Sequence, residues 1–141
     1  SVHPLLVDFR YKQEFNVKFD KILVDAPCSG SGTFSSRPDG KWRITRHQVQ
    51  SFSRLQYKIL SNALPLLKKN KESALVYSTC SLFPIENETV IRKVLENFPE
   101  FELKKQHIFI GIPSPEFPLG QRLFPHLNQT EGFSIFKLGY K

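Results

Sequence analysis

Ile22-Leu23-Val24-Asp25-Ala26-Pro27-Cys28-Ser29-Gly30-Ser31-Gly32 is the stretch that decides the fold. Three consecutive branched apolar residues end at an acid and give way at once to Pro, Ser and Gly. That is the pattern of a strand covered on both faces whose carboxyl end opens into a loop. The plan recurs at Ala74-Leu75-Val76-Tyr77, followed by Ser78-Thr79-Cys80-Ser81. Between the two, the first loop runs to about Ile44, and Thr45 with Gln48 then forms a capping box in which each side chain satisfies the other's exposed amide. Val49, Phe52, Gln56, Ile59, Leu60, Ala63 and Leu67 fall on or near one helical stripe, and Pro65 kinks or ends its last turn. A strand–helix–strand unit of this kind makes its two strands parallel and brings both following loops to one edge of the sheet. Ligands of open α/β sheets bind at that edge, so two thiols and the carboxyl of Asp25 are expected in one cleft. A free cysteine is commonly a small packing residue. Two of them in equivalent strand-end loops, each among small polar residues, favour the cleft.

Further along, Pro84 suits the first turn of a second helix, with Glu86 and Glu88 near its positive end. Ile91, Val94, Leu95 and Phe98 would be its buried face, and Pro99 its stop. Residues 101–110 read as a strand, residues 111–125 as a Pro/Gly-rich connection and residues 132–140 as a closing strand. Residues 4–8 hint at the end of an earlier strand. The order indicates a three-layer α/β fold that looks incomplete at its start.

The 141-residue chain carries 20 Lys and Arg against 13 Asp and Glu, a formal charge of +7, which fits a polyanion partner. With 40% apolar and 23% charged residues, it has the composition of one ordinary globular domain, not of a disordered, collagenous or coiled-coil chain. No apolar run approaches the ~20 residues of a membrane span, and no signal-peptide pattern opens the chain. The first residue is Ser, so the natural chain is expected to begin further upstream. Two cysteines and four histidines make neither a disulfide framework nor a zinc pattern. We expect no metal, no membrane and a reducing, cytoplasmic setting.

Asp25-Ala26-Pro27-Cys28-Ser29-Gly30-Ser31-Gly32 followed by Tyr77-Ser78-Thr79-Cys80-Ser81 resembles the signature pair of the Sun/Fmu family of RNA cytosine-5 methyltransferases. The similarity continues through Arg37-Pro38-Asp39, Lys41-Trp42-Arg43, Pro84-Ile85-Glu86-Asn87-Glu88, Pro125-His126 and Glu131-Gly132-Phe133, in family order over nearly the whole chain. The resemblance implies the carboxyl-terminal half of a Rossmann-like S-adenosylmethionine-dependent methyltransferase fold. Such a half has parallel strands, an antiparallel carboxyl-terminal strand and helices on both faces. Residues 1–141 would then be a single, partial catalytic domain. The family's glycine-rich cofactor loop and ribose-gripping acid have no counterpart here. An upstream half, from the same chain or a separate subunit, is therefore expected to supply them, and this chain alone is expected to bind the cofactor poorly.

The resemblance also implies a reaction. Carbon 5 of cytosine is too poor a nucleophile to attack the methyl of S-adenosylmethionine, but adding a thiolate to carbon 6 makes carbon 5 enamine-like. By family correspondence Cys80 is that nucleophile, Asp25 hydrogen-bonds the ring nitrogen and amino group, and Cys28 serves product release. Asp8, Asp25 and Pro27 fall on the cofactor side. Asp8 either contacts the adenine or is a solvated acid at a strand end. Lys41, Trp42 and Arg43 either grip RNA through phosphate charge and base stacking, or Trp42 is a packing anchor for the long loop. His126 matches a histidine near the family's site. Gly30 and Gly32 are expected to let backbone pass close to a bound base or cofactor. The implied substrate is rRNA or tRNA. A non-catalytic RNA-binding or assembly module is the alternative, but it would have no need of either thiol. A thiol hydrolase or oxidoreductase would want a C-x-x-C or a nucleophile–base motif, and neither is present.

Overall fold

A computed structural model describes residues 2–141 and builds them around one six-stranded sheet. β1 (Lys21–Asp25) lies parallel to β2 (Ala74–Thr79), with Lys21 opposite Ala74 and Asp25 opposite Ser78. A short α1 (Gly40–Arg43) and the long α2 (Arg46–Ala63) connect them. The capping box forms as expected: the Gln48 amide donates to Thr45 Oγ1, and the Thr45 amide donates to Gln48 Oε1 at 2.9 Å. Pro65 lies in a 3₁₀ turn, Leu64–Leu66, that ends α2.

A second 3₁₀ turn (Pro84–Glu86) leads into α3 (Glu88–Asn97), which packs against α2 and stops two residues before Pro99. β3 (Phe101–Leu103), β4 (Ile112–Pro113), β5 (Gln121–Leu123), a short α4 (Pro125–Asn128) and β6 (Phe133–Tyr140) complete the chain. β6 runs antiparallel to β2, with Tyr77 opposite Phe136, and its far edge takes both β5 and β3. The strand order is β1-β2-β6-β5-β4. Leu75, Tyr77, Phe136 and Leu138 from the sheet meet Leu60, Leu64, Val90, Ile91 and Val94 from the helical layer, all fully buried. No helix among the described residues is long and apolar enough to cross a membrane.

Three expectations change. The strand over 101–110 ends at Leu103, because the edge of β6 beyond Leu138 is already occupied: Gln121 of β5 sits opposite Ile135. Ile108, Phe109 and Ile110 therefore find no sheet to enter and remain exposed. The Pro/Gly-rich connection contains a small antiparallel pair, β4 with β5, too short to give a period. Residues 4–8 form no strand; they are exposed, and no neighbouring strand among the described residues pairs with them. In addition, α2 and α3 share one face of the sheet. On the opposite face Leu23 is 70% exposed and Val76 only half-buried, so the described residues supply no second helical layer there.

Phe136 is the ring on which the two layers close. Phe136→Ala should lower stability by about 3–5 kcal/mol, the range for truncating a buried aromatic. Chemical denaturation of the variant beside the parent measures it.

Candidate active site

The parallel register places the loops after β1 and β2 side by side, and backbone contact locks them together. Gly32 N donates to Cys80 O at 2.8 Å, and Gly132 N, just before β6, donates to Gly32 O at 2.8 Å. A Cβ on Gly32 would collide with the carbonyl of Gly132 and come within 2.8 Å of Cys80 O. Gly32 is thus required for three backbone segments to cross, and not for the approach of a ligand. Gly30 has a different reason to be glycine: its φ of 71° is left-handed.

The crossing brings Cys28 Sγ and Cys80 Sγ to 3.1 Å, both as free, half-buried thiols. One proton shared across that contact splits their acidities. The hydrogen bond from Cys28 stabilises a thiolate on Cys80 and brings it down to about 7, even though burial and the charges of Asp25 and Glu131 push the other way. The same hydrogen bond, with deeper burial, pushes Cys28 up. The contact therefore favours the thiolate on Cys80, with Cys28 the more basic partner of the pair. Asp25 stands at the exposed end of β1, where Ser78 Oγ donates to its Oδ1 at 3.1 Å.

Beneath the thiols lies a buried polar layer. Glu86 accepts from the amide and hydroxyl of Ser29 and from the hydroxyl of Ser81. Gln56 reaches it from α2 and also donates to Pro27 O. Asn87 accepts from Thr79 Oγ1 and donates to Ser81 O and Phe83 O. Glu88 pairs with Arg122 at 2.6 Å, both almost wholly buried, and Arg122 also donates to Leu82 O. Glu86 and Glu88 thus serve as buried connectors, beyond the favourable helix-end charges the sequence suggested. Gln56 carried the one available signal, a polar residue in the middle of an apolar stripe.

A cavity of about 470 Å³ opens over the two sulfurs, walled by Thr33, Arg37, Asp39, Arg43, Gln48 and Phe52. Of the residues foreseen for RNA, Arg43 lines it, with an exposed ion pair to Asp39 at 3.3 Å. Thr33, Arg37, Gln48 and Phe52 were not foreseen. Trp42 is 82% exposed with Lys41 Nζ 5.2 Å from its ring, so it is no packing anchor for the loop. His126 lies on α4 against Phe124, outside the cavity walls. A smaller cavity, about 220 Å³, lies beside β1 between Phe9, Ile22, Asp25, Pro27 and Ile59. Asp8, next to Phe9, is exposed and turned to Arg10, whose guanidinium and amide hold its carboxyl below the usual range.

Two thiols at the carboxyl ends of paired parallel strands, under a sheet that finishes antiparallel, define part of a Rossmann-like methyltransferase. The sequence model of the family described as 16S rRNA methyltransferase RsmB/F matches residues 2–139, and the chain belongs to that family. It is 34% identical, over 99% of its length, to the probable ribosomal RNA small subunit methyltransferase B of Bacillus subtilis. Among solved structures, NSun6 from Pyrococcus horikoshii with SFG superposes on 96% of the chain with a TM-score of 0.85 and 34% identity. A methyltransferase homolog protein from the same organism superposes on 87% with a TM-score of 0.72 and 40% identity. The chain spans about a third of the length of these proteins: 32%, 34% and 39%.

The thiol geometry sets a pH dependence. Alkylation of Cys80 should rise with pH through a midpoint near 7. In Cys28→Ala the donor is lost, so the midpoint should move up towards the ordinary thiol value; peptide-resolved mass spectrometry after timed iodoacetamide exposure reads both. Gly32→Ala should destabilise the protein by about 1–3 kcal/mol, as overpacking does, and slow Cys80 alkylation at pH 7; thermal melts and the same labelling check this.

Proposed function

We propose that this chain is the cysteine-bearing catalytic part of an enzyme that methylates carbon 5 of cytosine in RNA, with small-subunit ribosomal RNA as the substrate class. The observation that carries the reading is the 3.1 Å contact between Cys28 and Cys80 inside an open, arginine-walled cavity. Family membership supports it, as does the name of the Bacillus subtilis relative. Two thiols held in contact serve no purpose in a module that only binds RNA.

When bound, S-adenosylmethionine supplies an electrophilic methyl group. The residues present fit its adenine end: Phe9, Ile22 and Pro27 make an apolar slot, and Asp25 offers an acceptor at the rim. Asp8 would have to leave Arg10 to join them. The free edge of β1, its exposed Leu23 and the greater length of the relatives support a cofactor site completed by residues beyond this chain, from the same polypeptide or a separate subunit.

The work of the chain's own residues follows from the acidities. Cys80 Sγ, as thiolate, adds to carbon 6 of the cytosine, and the electrons of the 5,6 double bond move towards carbon 5. Asp25, whose charge is felt at Cys80 and which lines the neighbouring cavity, would accept from the amino group, and from the ring nitrogen once that nitrogen takes up a proton from solvent as charge shifts into the ring. Once Cys80 is bonded to carbon, it no longer accepts from Cys28, so the main cause that raises Cys28 is gone. Cys28 can then give its proton to solvent water and take the proton from methylated carbon 5; the freed C–H pair re-forms the 5,6 double bond, and Cys80 leaves carbon 6 as thiolate. Arg37 and Arg43 meet phosphates, while exposed Trp42 with Lys41 offers a base-stacking platform. His126 contacts RNA only away from the sulfurs. An RNA substrate and two reduced thiols fit an intracellular, cytoplasmic setting.

In the complete protein, Cys80→Ala should abolish transfer of labelled methyl from S-adenosylmethionine to RNA; unchanged turnover would overturn the reading. Cys28→Ala should leave protein covalently attached to RNA, visible as a slow band on a denaturing gel.

A further inference from the structure

Glu86 is a fully buried carboxyl, and no cationic side chain contributes to its hydrogen bonds. Its Oε1 accepts from Ser29 N at 2.9 Å and from Gln56 Nε2 at 3.0 Å. Its Oε2 accepts from Ser29 Oγ and Ser81 Oγ, each at 2.5 Å. Ser29 is the residue after Cys28, and Ser81 is the residue after Cys80. One carboxyl group therefore grips the immediate neighbours of both thiols. It is itself fixed: Tyr77 Oη donates to its carbonyl at 2.7 Å, and Asn87 beside it is bonded to the Cys80 loop. A buried carboxyl in an apolar core is costly unless its oxygens are satisfied. The arrangement makes sense if what matters is the distance it sets between the two loops.

We propose that Glu86 is a positioning residue that holds Cys28 within hydrogen-bonding distance of Cys80 and thereby sets the reactivity of the nucleophile. It acts through the serines and touches neither substrate nor cofactor. The inference rests on Cys80 being the nucleophile of the proposed reaction, but its readout is the thiol pair itself. Besides Cys28, the charged groups around Cys80 are Asp25 and Glu131, with Arg37, Asp39 and Arg43 on the cavity wall. None of these contacts Glu86.

The test is the pH profile of Cys80 alkylation by iodoacetamide in the complete protein, resolved by peptide mass spectrometry. It compares the parent, Glu86→Gln, Cys28→Ala and the double variant. An amide at position 86 faces the serine donors with a donor of its own and loosens the clamp. The Glu86→Gln midpoint should rise by about one pH unit, the size expected for losing a hydrogen bond to the charged form. In the Cys28→Ala background the same substitution should add nothing, because the donor it positions is already gone. Ser29→Ala, which removes one of the four bonds, should shift the midpoint less but in the same direction, and it reads the clamp even if Glu86→Gln fails to fold. An unchanged midpoint in a folded Glu86→Gln, or an equal shift with and without Cys28, would overturn the proposal. Methyl transfer is measured on the same samples. A parent that shows the expected thiol profiles but methylates no RNA would sink the functional reading and leave the positioning role standing.

Discussion

Every feature of the site depends on the parallel pairing of β1 with β2 in the register that sets Asp25 opposite Ser78. Parallel strands end at the same edge, so the loops that follow start level and can touch. An antiparallel pair would send the two cysteine loops to opposite ends of the sheet, and a slip of one residue would turn Asp25 and the loop starts to the wrong face. The helix that enforces the parallel crossover is secured at its start by the Thr45–Gln48 box and at its end by Pro65. The apolar core therefore acts on the chemistry at a distance, by making the strand ends coincide.

Above the core, control passes from apolar to polar contacts. The loops contain little that could be held by hydrophobic packing: Ser29, Gly30, Ser31, Gly32 and Ser78, Thr79, Ser81. Small side chains leave room for backbones to cross, but they hold nothing by bulk. The buried acceptors of Glu86, Asn87 and Glu88 supply the missing constraint. Hydrogen bonds are directional where burial is not, so a site that needs two sulfurs at a defined separation is better served by them.

What could be read from the letters, and what could not, follows the same division. The two parallel strands, the capped helix between them, the second helix and the closing strand were all legible, although the first strand is covered on one face only, with Leu23 exposed. From these alone the meeting of Cys28 and Cys80 could be argued, whereas Asp25 lines the neighbouring cavity beside β1 instead of the cleft with the thiols. The β4–β5 pair escaped because two- and three-residue strands have no period. Residues 101–110 misled because β-prone residues at both ends of a segment do not reveal whether a sheet edge is vacant. At the site, Glu86 and Gln56 looked like a helix-end charge and a member of an apolar stripe. Their bonds run to Ser29 and Pro27, far away in sequence, and no local pattern encodes such a reach. Arg37 and Phe52 face the cavity for the same reason of three-dimensional position.

Gly132 completes the crossing of Gly32 and Cys80, and nearby Glu131 accepts from Ser36, 95 residues earlier. Contacts between such distant points form late, because the intervening chain must be ordered before they are rewarded. A ribosome making this protein delivers Gly132 only after both cysteine loops have emerged. Until then the two cysteine loops lack their third strand of backbone, and only the Gly32–Cys80 bond and the Glu86 contacts hold them together. The nascent chain thus carries its thiols without the full three-segment crossing until β6 docks.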